Sequence, residues 1–247
     1  LKRLDHPNLP KIADVLEYKD IFLIVMDYIE GRPLSLTLQE QGAQSQEVVV
    51  AWAKQLCDVL EYLHSRKPPI IYRDMNCNIM LRPDGRVMLI DFGTAREYKE
   101  EHVEDTICLG TVGYAAPEQF GGNGQTDART DIFCLGRTLY HLLTGHNPCM
   151  PPYEIYPIRH WNPQLSSGLE EIIWKCVQND PQDGTSPAQN YCMHWNIIGN
   201  LMLNARDSSR RSGGFLSVQQ FVHWHLQRGL WGFAAQKRRQ SGTVMSE

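Results

Sequence analysis

Apolar positions along this chain of 247 residues follow two periods. Ile21-Phe22-Leu23-Ile24-Val25-Met26 is a continuous β-rich run of strand length, which predicts a buried strand, and Glu30-Gly31-Arg32-Pro33 ends it with turn chemistry. From 45 to 64 the set Val48, Val49, Trp52, Leu56, Val59, Leu60 and Leu63 recurs at three and four after a Ser45-x-Glu47 start, which predicts a long buried helix. Short runs at Ile70-Ile71, Ile79-Met80-Leu81 and Val87-Met88-Leu89-Ile90 surround the turn Arg82-Pro83-Asp84-Gly85 and predict a small hairpin against that helix. Two more helices are expected, over 131–144, stopped by Gly145 and Pro148, and over 169–177. These elements make a helix-dominated α+β body.

Composition changes this picture in one place. The apolar share of 42% and charged share of 21% are ordinary for a globular chain. Residues 1–184 hold 17 Lys and Arg against 26 Asp and Glu, net −9, whereas residues 185–247 hold 7 against 2, net +5. The last quarter also loses any sustained period, so it reads as a different kind of chain. Seven cysteines form no C-x-x-C pair, and no apolar window nears the roughly 18 residues of a spanning helix. A soluble chain in a reducing, cytoplasmic setting is expected. Lys237-Arg238-Arg239 reads as a solvated tail rather than a nucleic-acid patch, and His223-x-His225 lacks a third ligand for a metal.

The chemistry is concentrated in three segments in fixed order: Tyr72-Arg73-Asp74 with Asn78, then Asp91-Phe92-Gly93, then Ala116-Pro117-Glu118. Phosphoryl transfer needs a carboxylate to orient a hydroxyl and oxygen ligands to hold magnesium beside the phosphates. Asp74, Asn78 and Asp91 are the residue types for those tasks, and a short hairpin between Asn78 and Asp91 brings distant ligands toward one ion.

Order and spacing resemble the C-terminal lobe of a eukaryotic-type serine/threonine protein kinase, in its bacterial form, over residues 1–183. The resemblance implies a protein-kinase-like α+β fold, mostly the helical C-lobe with a remnant of the β-rich N-lobe. It divides the chain into 1–34 (end of helix C, two strands and the hinge), 35–183 (C-lobe) and 184–247 (irregular tail). It implies ATP and Mg²⁺ as cofactors and a protein bearing Ser or Thr as partner, with no nucleic acid, no membrane segment and an open oligomeric state. Asp74 would be the catalytic aspartate, Asn78 and Asp91 the metal ligands, and Arg73 the partner of a phosphorylated activation segment. Thr106 is either that phosphosite or a solvated threonine. Thr111 would hydrogen-bond the catalytic aspartate. Met26, Asp27, Tyr28, Ile29 and Glu30 would meet adenine and ribose, with Met80 as the floor under the base. Ile12, Tyr72 and Phe92 would stack as a spine, or be plain core. Asp131 is either the anchor of the catalytic loop or a surface N-cap.

Three departures from the family pattern stand out. The start of the chain resembles the end of helix C, so a Gly-rich loop and the lysine and glutamate that charge-match ATP are not in it, and this implies an inactive or nearly inactive chain. Asp74-Met75-Asn76-Cys77-Asn78 is one residue short, with Asn76 where the family has a Lys-Pro pair, which would displace Asn78. After Asp180-Pro181 the family has an arginine paired with the equivalent of Glu118, here missing. A one-base shift in a permitted back-translation of residues 184–204 restores an arginine at that place, so the tail is expected to be out of frame. The competing reading is a pseudokinase or scaffold that binds protein partners without catalysis.

Overall fold

The computed structural model describes residues 2–19, 21–98, 110–120, 125–151 and 153–177, all within a compact unit of residues 1–203. Thr106 and the 184–247 tail lie outside the described residues.

Two strands, β1 (Ile12–Tyr18) and β2 (Ile21–Met26), form an antiparallel hairpin pairing Ile12 with Met26 and Leu16 with Leu23. Several of its described apolar side chains are exposed: Leu23 is 52% and Leu16 48% exposed. The apolar run at 21–26 thus makes the expected strand but only a partly buried one: Ile24 packs against the main core while Leu23 and Val25 stay exposed. Residues 2–11 form turns rather than a helix end, as Pro7 and Pro10 dictate. That segment is nonetheless pinned to the main body. Asn8 Nδ2 donates to the Val87 carbonyl at 2.7 Å, Leu89 N–H to the Asn8 carbonyl at 3.0 Å, and Leu4 and Leu9 enter the main core.

After β3 (Arg32–Pro33) come α1 (Leu34–Gln41) and α2 (Gln46–His64). Ser45 Oγ accepts from Val48 N–H, capping α2 as its sequence suggests, and Ala53, Leu56, Leu60 and Leu63 are wholly buried. Val48, in the capped first turn, faces out instead of in. The short strands β4 (Ile70–Ile71), β5 (Met80–Leu81), β6 (Val87–Met88) and β7 (Arg96–Glu97) follow. β5 and β6 are the expected hairpin, turned at Gly85 with φ +83°, and β3 extends their sheet. β4 stands apart from it and pairs with β7.

The centre is α3 (Ala128–Thr144), which begins three residues before its expected start. Asp127 caps it by accepting from Arg129 N–H at 2.7 Å, and Gly145, at φ +69°, ends it. Every residue from Thr130 to Leu143 except Phe133 is buried. A helix buried on nearly all sides lies inside the core, and its polar members Asp131, Arg137 and Thr138 are hydrogen-bonded there. α3 packs on α2 and on α5 (Ser167–Cys176), where Gly136 allows close approach: a Cβ there would lie 2.5 Å from that of Cys176. The single turn α4 (Ile158–Trp161) precedes α5. No helix among the described residues is long and apolar enough to cross a membrane.

Candidate active site

The loop between β4 and β5 carries Tyr72 to Asn78, and α3 holds it from below. Asp131, in the first turn of α3 and with no exposed surface, accepts Tyr72 N–H at 2.9 Å and Arg73 N–H at 2.7 Å. His64, at the end of α2, meets the same carboxylate at 2.7 Å. Seven residues further along α3, and so on the same face, Thr138 Oγ1 donates to the Met75 carbonyl at 3.0 Å. A buried carboxylate needs such donors, and Asp131 has three. Arg73 adopts φ +69°, an uncommon conformation for a residue with a side chain. It is buried, with Nε on the Thr94 carbonyl at 2.6 Å.

Asp74 is fixed through one oxygen. Its Oδ1 accepts from Thr111 Oγ1 at 2.9 Å, Thr111 N–H at 3.2 Å and Asn76 Nδ2 at 3.1 Å. Its Oδ2 has no hydrogen-bond partner among the described residues. Asn78 has an exposed side chain, and its N–H is held by Asn76 Oδ1 at 2.8 Å. Asp91 is also exposed, and its Oδ1 accepts Gly93 N–H at 2.8 Å. The fold therefore brings Asp74 to Thr111 directly and links Asp74 to Asn78 through Asn76. No hydrogen bond ties Asp91 to either one.

Tyr72 and Phe92 meet edge to face, with centroids 5.6 Å apart, and both are buried. Burial, then the charges of Asp91 and Asp74, raise the Tyr72 phenol far above its usual range, so it stays neutral. Ile12 is half-buried at the start of β1. Asp27 and Glu30 are exposed, Tyr28 almost fully and Met26 in part, and Ile29 and Met80 are half-buried. Asp27 N–H is taken by the Lys11 carbonyl at 3.0 Å.

The segment 110–120 is stapled to the loop by a residue that the motif reading passed over. Gln119, 1% exposed, donates from Nε2 to the Arg73 carbonyl at 2.7 Å and accepts Ala116 N–H at 2.9 Å. Arg137 of α3 donates to the Gly113 carbonyl. Glu118, which the family pairs with an arginine that this chain lacks just after Pro181, finds another partner. It is only half-buried, and accepts from Thr130 Oγ1 at 2.6 Å within the field of Arg129.

Beside Thr111 and Asn78 opens a cavity of about 350 Å³, lined also by Asn76, Tyr114, His141 and Cys149, with no carboxylate on its wall. His141 Nδ1 lies 2.6 Å from Tyr114 Oη and 3.4 Å from Cys77 Sγ. Burial pushes the His141 imidazole down to about 4 and the Cys77 thiol up to about 12. Both are neutral at pH 7. Among the described residues no group of three or more His, Cys, Asp or Glu side chains could hold a metal, so any cation here would also need amide oxygen, phosphate or water.

Comparison with known proteins finds likenesses over most of the chain. The family model described as "Protein kinase domain" matches residues 1–196. A probable serine/threonine-protein kinase of Clostridium perfringens is 31% identical over 214 residues, covering 81% of this chain and 30% of that protein. Serine/threonine-protein kinase PrkC of Bacillus subtilis is 31% identical over 191 residues, covering 72% of this chain and 29% of its own length. A probable serine/threonine-protein kinase PknB of Lactococcus lactis is 28% identical over 193 residues, covering 73% and 30%. The chain thus spans about a third or less of each of these relatives.

Proposed function

Because this chain belongs to the protein kinase family, with serine/threonine kinases among its relatives, we propose that its site serves transfer of the ATP γ-phosphoryl group to a serine or threonine hydroxyl of a protein. The observation that carries this reading is the three-bond fixation of Asp74 Oδ1. With that oxygen saturated, Oδ2 is the one left to receive an acceptor hydroxyl. In phosphoryl transfer the protein's work is mostly positioning, so a carboxylate with one oxygen tied and one open suits the task. Thr111 sets its angle, and Asp131 holds the loop that carries it.

The family uses ATP with Mg²⁺. The side-chain oxygens of Asn78 and Asp91 are hard donors on exposed residues, and that donor chemistry fits magnesium. Bound Mg·ATP would supply the phosphoryl group and neutralise its charge. Met26 to Glu30 would line the adenine and ribose, with Met80 beneath. Because Asp27 N–H is already committed, the N–H groups of Tyr28 and Ile29 are the backbone donors left for the base. Arg73 would receive the phosphate of an activation segment, with Thr106 as its candidate source.

Two measurements on the full chain test the reading. Titrated Mn²⁺, standing in for Mg²⁺, should broaden the amide resonances of Asn78 and Gly93, and Asp91→Asn should abolish this. Phosphate transfer from labelled ATP to Ser- or Thr-containing peptides, however slow, should vanish in Asp74→Asn. Broadening confined to other sites, or transfer untouched by Asp74→Asn, overturns the assignment.

A further inference from the structure

Asn76 is 5% exposed, and both ends of its amide are used. Nδ2 donates to Asp74 Oδ1 and Thr111 Oγ1, each at 3.1 Å, and to the Asp74 carbonyl at 3.3 Å. Oδ1 accepts Asn78 N–H at 2.8 Å. These partners determine which way the amide points. A carboxylate only accepts and a backbone N–H only donates, so a flipped amide would set acceptor against acceptor at one end and donor against donor at the other.

Resting on the roles given above to Asp74 and Asn78, the geometry points to Asn76 as a positioning residue that does with one neutral amide what the related loops do with a lysine and a proline. One end holds Asp74 Oδ1 and Thr111 Oγ1 in place. The other sets the backbone of Asn78, so a loop shorter by one residue keeps the acceptor carboxylate and the candidate magnesium ligand in register. Its two N–H groups already face three acceptors, which leaves none for a phosphate. Asn76 therefore acts through Asp74 and Asn78. The loop's cationic contribution to the phosphoryl group is absent, and its ordering contribution is kept.

The test reads amide hydrogen exchange of Thr111 and Asn78 in the full chain, with the α3 amides as the control for folding. Asn76→Asp keeps an oxygen for Asn78 N–H but turns the other end into an acceptor facing Asp74. Asn76→Leu has a similar shape and offers neither. In Asn76→Asp, Thr111 N–H should exchange about tenfold faster while Asn78 N–H stays protected, and in Asn76→Leu both should accelerate. Peptide phosphorylation by Asn76→Asp should lose kcat with KM unchanged. Thr111 exchange unchanged in Asn76→Asp, Asn78 protection lost along with it, or a Thr111 amide unprotected in the unsubstituted chain overturns the proposal. Should Asn76→Asp lose α3 protection, Asn76→Ala decides: Thr111 and Asn78 must accelerate over an unchanged α3. If Asp74→Asn leaves transfer intact, the role of Asp74 fails while the exchange data still judge the clamp. If Asp74→Asn abolishes transfer and the exchange pattern fails, the clamp alone falls.

Discussion

The loop over residues 72–78 and the β1–β2 hairpin are both short, irregular-edged pieces of chain, yet they are built on opposite terms. The loop is tied at three of its backbone groups to buried side chains on α3: Tyr72 and Arg73 to Asp131, and Met75 to Thr138. The hairpin has a ladder that is regular from Asp14 to Tyr18, with one irregularity between Ile12 and Asp14, but leaves Leu16, Tyr18, Leu23 and Val25 exposed. Backbone pairing alone does not bury a strand, and a loop without regular pairing becomes rigid when a buried helix supplies its hydrogen-bond partners. Residues proposed to position a hydroxyl therefore sit on the piece held by α3. Those proposed for adenine lie at the end of the exposed one.

Perturbing each side should show the contrast. The largest effect is expected from Asp131→Ala, which strips partners from two buried N–H groups and His64. It should lower unfolding free energy by about 3–5 kcal/mol in urea titration. Gly136→Ala comes next. Its Cβ meets Cys176 Cβ at 2.5 Å and Val177 Cγ1 at 3.0 Å, and overpacking of α3 against α5 should destabilise by about 1–3 kcal/mol.

A smaller effect is expected from pH. His141, folded, has its pKa depressed from 6.5 to about 4 by burial. Between these values the unfolded chain binds a proton that the folded chain refuses. Stability contributed here is thus complete above pH 6.5 and declines as pH falls toward 4. Urea midpoints measured across that window should slope downward with acid, and His141→Gln should flatten the slope. Smallest of all, Leu23→Ser on the hairpin should change stability by no more than about 0.5 kcal/mol. A loss as large as that of Asp131→Ala would mean that the hairpin is part of the core after all.

Much of this was legible in the sequence, and the reasons differ by residue. The helices around Leu56 and Leu139 announced themselves because a buried face repeats at three and four. The turn at Asp84-Gly85 did so because Gly85 takes a positive φ. The three chemical segments were readable because their residue types are scarce and ordered. The exposure of β2 was not, since an apolar run records what a side chain would prefer to touch, not whether anything is there to touch it. Nor were the hydrogen bonds of Asn76 and Gln119, because nothing in a polar residue type says which groups it will meet once the fold closes over it. Thr130 stands opposite Glu118 only because α3 starts three residues early, behind the Asp127 cap.

The left-handed turn at Arg73 has a consequence for how the site comes into being. Two successive N–H groups, of Tyr72 and Arg73, converge on one carboxylate, so the peptide there behaves as a receptor for an anion and Asp131 is the anion it was shaped around. That guest is covalently part of α3. Until α3 has docked, the strained conformer has nothing to reward it, and Asp74 has no settled direction; the helix core must assemble before there is a site.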